Sequence, residues 1–227
     1  MRTTIFSIAF ILLSALTFPI GNASPKKSLS MSERLVNETE LIYEQMNLKG
    51  LIDFNAFEAA YVGYKKLNNN KNNLLTIIDF NLPSTEKRMY VLDLSKKEVL
   101  YVTHVAHGRN SGVNYATSFS NKNGSYQSSL GFYRTAETYN GGNGYSLRLD
   151  GLEKGINDLA RPRAVVIHGA DYCNENFIKS TGRLGRSFGC PALPQELNKP
   201  IINTIKDGSL IFIYADKPEY YAMTKVL

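Results

Sequence analysis

The sequence predicts an α+β protein: a mainly β domain with a helical appendage on its N-terminal side. Helical periodicity is concentrated before residue 73, and from there on the chain breaks into short β-rich runs with two brief helical signals among them. At 227 residues the chain exceeds the ~150 of a typical domain, so one catalytic-size domain with an appendage fits better than two equal ones. With 43% hydrophobic and 20% charged residues and 8 prolines it is neither disordered nor collagen-like, and 2 cysteines exclude a disulfide-dense scaffold. A formal net charge of +6 suits an acidic partner such as nucleic acid, anionic lipid or a cell-wall polymer, without choosing among them.

Met1-Arg2 is followed by an apolar run from Ile5 to Ile20 and then by Gly21-Asn22-Ala23, a small-x-small pattern. This predicts an export signal over residues 1–23, cleaved after Ala23. The run is shorter than the ~20 apolar residues of a membrane span and no cysteine follows to take a lipid. The expected mature chain is therefore exported, periplasmic or secreted, with no stable membrane insertion; an uncleaved anchor is the alternative. Residues 24–30 read as a leader. Ser30 with Glu33 makes a capping box for a helix ending near Gly50, with Leu35, Ile42 and Met46 on one face. A second helix opens at Asn55 with Glu58, carries Phe57, Tyr61 and Tyr64 at helical spacing, and ends in the Asn/Lys-rich loop 68–73. The aromatic stripe is expected to pack, with ligand binding as the alternative. The division expected is thus signal 1–23, leader and helical appendage 24–73, and a mainly β domain 74–227.

Strands are expected over Leu74–Phe80, Arg88–Leu94, Glu98–His107, Tyr145–Leu149, Ala164–His168 and Ser209–Tyr214. Short helices are expected near Asn174–Lys179 and Pro200–Lys206, the latter with Pro200 as an early residue and Gly208 as the stop. The Ser/Asn/Gly/Tyr-rich stretch between Gly108 and Gly144 shows little periodicity and reads as a lid or cleft wall.

Three histidines and two cysteines limit the chemistry. His104 and His107, three apart in a β-type run, face opposite ways and make a poor metal pair, and there is no HExxH or CxxC motif, so neither metal nor cofactor is expected. The concentrated signal is Val165-Val166-Ile167-His168-Gly169 followed by Gly185-Arg186-Ser187-Phe188-Gly189-Cys190-Pro191. A histidine at the mouth of an apolar strand and a Gly-Cys turn brought back to it suit a Cys/His nucleophilic site. A Cys173–Cys190 disulfide is the competing reading for an exported chain.

His168-Gly169 with Ser187-Phe188-Gly189-Cys190 resembles the His-Gly and Ser-x-Gly-Cys signature of L,D-transpeptidase catalytic domains, the YkuD-like fold of peptidoglycan enzymes. The resemblance runs over about residues 88–215 and includes Val105 to Gly112, Ser128-Ser129-Leu130-Gly131-Phe132-Tyr133, YSLRLDGLE and GRLGRSFGCPALP, segments similar to the murein L,D-transpeptidase catalytic domain branch. Two positions depart from the usual pattern: Phe188 stands where many members have His, and Ala192 where they have Arg or Asn.

The resemblance implies an acyl transfer through a cysteine thioester. Cys190 would be the nucleophile and His168 the general base, with the Gly169 carbonyl orienting the imidazole and the Gly189 and Cys190 amides forming the oxyanion hole. The substrate would be a peptidoglycan stem peptide rather than nucleic acid, cut after the third residue of a tetrapeptide and joined in a 3-3 crosslink. Water in place of the acceptor amine would make an L,D-carboxypeptidase, and a non-catalytic wall-binding protein is the reading from another class. Candidate substrate-binding residues are Arg148, Arg183 and Arg186 for carboxylates, Ser187 beside the nucleophile, and Tyr133 and Tyr145 as cleft walls.

Overall fold

The computed structural model describes residues 30–68 and 72–227. The expected export signal, most of the leader and residues 69–71 of the Asn/Lys-rich loop lie outside the described residues.

Ser30 caps the first helix, α1 (Met31–Gln45), through the capping box: its side chain accepts from the Glu33 amide while the Glu33 carboxylate accepts from the Ser30 amide. Leu35, Ile42 and Met46 lie against the core. α2 (Phe54–Leu67) begins earlier than expected, because Asp53 rather than Asn55 is the cap; its carboxylate accepts from the amides of Asn55 and Ala56. Phe57, Tyr61 and Tyr64 stack in succession along this helix. Ala56, Phe57 and Ala60 are wholly buried. Gly63 admits the Phe132 ring so closely that a Cβ there would lie 2.0 Å from it.

The sheet has eight strands: β1 (Leu74–Asp79), β2 (Met89–Asp93), β3 (Glu98–Thr103), β4 (Gly131–Gly141), β5 (Gly144–Gly151), β6 (Val166–Gly169), β7 (Ala192–Leu193) and β8 (Leu210–Tyr214). Their order is β3-β2-β1-β8-β4-β5-β6-β7. β1–β8 and β6–β7 are parallel pairs and the rest antiparallel. β3 ends at Thr103 rather than running to His107. Its continuation crosses to the far edge of the sheet, where Ala106 bridges Ala192 and Gly108 bridges Ser187. These contacts curl the first and last strands toward each other into a nearly barrel-like sheet and set the segment after β3 beside the loop that carries Cys190.

β4 corrects the expectation of an irregular stretch up to Gly144. Residues 108–130 hold no strand beyond isolated bridges, but Gly131–Gly141 forms an 11-residue strand between β8 and β5. Its second half is mostly exposed and polar, and its register with β5 shifts between Thr135 and Thr138, which blurs the two-residue alternation in the sequence. Between the strands lie α3 (Glu175–Thr181), capped by Asn174, and α4 (Gln195–Ile205). α4 starts five residues before the expected Pro200, which therefore sits inside the helix and supplies no amide to the carbonyl one turn earlier. Ile201, Ile202 and Ile205 bury its inner face. A short α5 (Pro218–Met223), which the sequence reading did not identify, closes the described chain with proline in its first turn.

Candidate active site

The apolar run Val165–Ile167 enters β6 and delivers His168 to its end, between Ser146 of β5 and Ala192 of β7. The imidazole is nearly buried, and its Nδ1 lies 2.9 Å from the Gly169 carbonyl oxygen. A carbonyl only accepts, so Nδ1 carries the proton and Nε2 of the neutral ring presents a lone pair. Burial draws the His168 pKa below its usual value against the opposing pull of that hydrogen bond. The site therefore holds a neutral imidazole with one nitrogen fixed and the other open. α4 packs closely over Gly169, where a Cβ would displace the end of the Gln195 side chain and lie 3.1 Å from the Asn198 Cβ.

The loop that brings Cys190 back is braced from several sides. The Ser187 amide donates to the His107 carbonyl and the Arg109 amide to the Ser187 carbonyl. The Ser187 hydroxyl donates to the Cys190 carbonyl at 2.6 Å and accepts from the Gly189 amide at 3.1 Å. Ser128 Oγ donates to the Gly189 carbonyl. Gly189 has φ +124°, and a Cβ there would lie 2.9 Å from the Gln127 carbonyl oxygen, so glycine meets both a backbone and a space requirement.

The Cys190 Sγ accepts from the Val166 amide at 3.5 Å and lies 3.6 Å from the Ala164 carbonyl oxygen. It is thus turned toward the start of β6, and no hydrogen bond joins it to His168 among the described residues. Burial pushes the thiol pKa up, while the Val166 amide and Arg163 pull it down. Of the two amides expected to bind an oxyanion, that of Gly189 is taken by Ser187; the Cys190 amide makes no hydrogen bond among the described residues.

The expected substrate contacts have partners within the chain, and one of them is wholly buried. Tyr133 is not a cleft wall: it is wholly buried and its hydroxyl donates to the Ser129 carbonyl. Tyr145 donates to Asn203 on α4. Arg148 pairs with Glu137 at 3.2 Å and covers the Tyr139 ring. Arg183 donates to the Leu184 carbonyl, and Arg186 donates through Nη1 to the carbonyls of Arg109 and Gly112. Cys173 is buried, donates to the Ala192 carbonyl and, like Cys190, is a free thiol. Among the described residues no three His, Cys, Asp or Glu side chains are grouped to hold a metal. No described helix is long and apolar enough to cross a membrane.

The sequence reading missed Arg163, which sits in the turn before β6 and hydrogen-bonds to Ser120, Ser125, Gln127 and Ser129. It also missed a clasp at the rim, where the Arg109 guanidinium lies 4.3 Å from the Tyr126 ring centroid and 4.7 Å from that of the exposed Phe188. The only sequence signal for Arg163 is its place two residues before an apolar strand that ends in histidine.

A family model described as an L,D-transpeptidase catalytic domain matches residues 48–214. No curated protein matches the chain. Among solved structures, it is similar to an L,D-transpeptidase from Mycobacterium smegmatis at 13% identity and a TM-score of 0.41, over 63% of this chain and 59% of that one. A helical cell shape determining protein from Campylobacter jejuni gives 14% and 0.42, over 70% and 56%. L,D-transpeptidase 3 from Mycobacterium tuberculosis gives 11% and 0.40, over 63% and 62%. The chain thus spans roughly three fifths of the length of these structures.

Proposed function

The chain belongs to the L,D-transpeptidase catalytic domain family, whose model it matches over residues 48–214, and from that membership we propose that it is an exported cysteine acyltransferase acting on peptidoglycan tetrapeptide stems. The proposed division is an export signal over 1–23, a leader and helical appendage over 24–73, and the catalytic domain over 74–227.

In the proposed reaction the Cys190 thiol turns from the Ala164 carbonyl toward Nε2 of His168, which takes its proton. The thiolate attacks the carbonyl of the third stem residue, and the oxyanion is received by the unengaged Cys190 amide. His168 then protonates the departing D-alanine amine and a thioester remains. The amine of a neighbouring stem, giving its proton to His168, attacks the thioester to form the 3-3 crosslink and free the thiol. Arg183 and Arg186 precede the nucleophile in sequence and are proposed to meet the stem, Arg186 through the guanidinium nitrogens its backbone contacts leave open, while Ser187 holds the turn.

The observation that carries this reading is the imidazole of His168, locked through Nδ1 on Gly169 with Nε2 open, one strand away from the segment led by Cys190. The test is incubation of the purified chain with disaccharide tetrapeptide, with products identified by mass. Release of D-alanine and a crosslinked dimer are expected, with pentapeptide a poor donor. Tripeptide alone would redirect the thioester to water, and efficient crosslinking from pentapeptide would refute the donor assignment.

A further inference from the structure

We propose that Arg163 is a positioning residue for the nucleophile: it supplies the positive charge beside which Cys190 ionises, while pinning the 120–129 loop against the catalytic turn. This deepens the reading of Cys190 as nucleophile and rests on it. The guanidinium donates through Nη1 to the Ser120 carbonyl and Ser129 hydroxyl, and through Nη2 to the Ser125 hydroxyl and the Gln127 carbonyl. All four Nη hydrogens are spent, and every acceptor is neutral. No carboxylate pairs with this arginine among the described residues. An arginine stays charged inside a protein, so the loop receives a cation whose field no anion cancels.

Cys190 is placed to feel that charge. Its Sγ contacts the Ala164 carbonyl and the Val166 amide, which belong to the residues directly following Arg163. Arg163 Nη2 also lies 3.5 Å from where a Cβ of Gly189 would stand. Arg109 over the Phe188 ring and Arg186 on the Arg109 and Gly112 carbonyls are the other cations at the catalytic loop, and the remaining titratable groups facing this corner are His168, Tyr133 and Tyr172. Burial keeps the His168 ring neutral, raises the Tyr133 phenol and raises that of Tyr172 to about 12, so none of these is charged at neutral pH. Cys190 is the acid left to use the cation, and Arg163 opposes the burial that pushes its thiol up. When Sγ gives its proton to His168 Nε2, the Arg163 charge acts on the thiolate through space, its four Nη hydrogens remaining on the loop.

The test is the pH dependence of Cys190 alkylation by iodoacetamide in the purified chain. Arg163→Gln should move the midpoint to higher pH and slow alkylation at neutral pH about tenfold, the effect of one unit. Arg163→Lys, which keeps charge but loses the fork, should stay near the parent. Because Arg163→Gln removes four hydrogen bonds and so threatens the fold, Ser125→Asp provides the second variant. It leaves the arginine in place and sets a carboxylate on its Nη2, so it too should raise the midpoint. An unmoved midpoint in Ser125→Asp or in folded Arg163→Gln, or equal shifts in the Gln and Lys variants, would reduce Arg163 to a loop pin and overturn the proposal. Alkylation needs no substrate, so the two readings fail separately. Shifted midpoints without turnover of tetrapeptide would refute the function alone, and turnover with unmoved midpoints would refute the role of Arg163 alone.

Discussion

The molecule contains two groupings of histidine, cysteine and arginine, built from the same residue types and opposite in character. In one, Arg88 is wholly buried and donates to the carbonyls of Leu82 and Val105 and to Nδ1 of His107, with the Phe80 ring 4.8 Å away. His107 spends its remaining nitrogen on the Gly112 carbonyl, and Cys173 spends its proton on Ala192. Burial raises the Cys173 thiol to about 12 and lowers His107 to about 3. In the other, His168 has one nitrogen open and Cys190 is only partly covered, while Arg163, like Arg88, spends its donors on neutral acceptors. Residue type does not separate them; open valence and access do. The sealed group holds the segment after β3 in place, and the open one has capacity left for a reaction.

The sharpest way to break this contrast is to remove each sulfur in turn. Cys190→Ala should abolish turnover with the fold intact, because no neighbour replaces the covalent step. Cys173→Ser should keep turnover, since a hydroxyl can donate the same bond to Ala192. Steady-state assays with tetrapeptide substrate check both. The histidines come next: His168→Ala should cost about 10²- to 10⁴-fold in rate. His107→Ala should leave the chemistry in place but lower stability by about 2–3 kcal/mol, since it strands a buried guanidinium N–H and opens a cavity. Denaturant unfolding beside kinetics separates the two outcomes, and a greater loss of rate from His107→Ala would mean that the wrong histidine has been assigned.

Proton linkage extends the contrast to pH. Between pH 6.5 and about 3 the unfolded chain protonates His107 while the folded chain does not, so this group's contribution is complete above 6.5 and declines as pH falls. Asp79, raised from 3.8 to about 6 by burial, works in the opposite direction between those values. The parent should therefore lose more stability from pH 7 to pH 4 than His107→Asn does, as read by unfolding at both pH values. The smallest effect is on the rate profile. The acidic limb of kcat/KM should fall below 6.5, reflecting the lowered pKa of His168.

The elements that were legible in the sequence are those whose signals are local. Ser30 and Glu33 announce a helix start, an apolar run ending in His-Gly announces a strand mouth, and Ser-Phe-Gly-Cys announces a turn that needs glycine. The arginines were not legible. Arg163 finds its acceptors 34 to 43 residues away in the chain, and Arg88 reaches His107 across 19, so no spacing pattern marks either. Tyr133 was misplaced for a related reason. Its strand turns polar halfway along, and only pairing with β8 shows that its first half lies in the core.

The most direct test of the account is acylation of the unreduced chain by a carbapenem, followed by intact mass and peptide mapping. The account predicts a single adduct located on Cys190, absent from Cys190→Ala and retained in Cys173→Ser. An adduct on Cys173, or none on a preparation that turns over tetrapeptide, would contradict it.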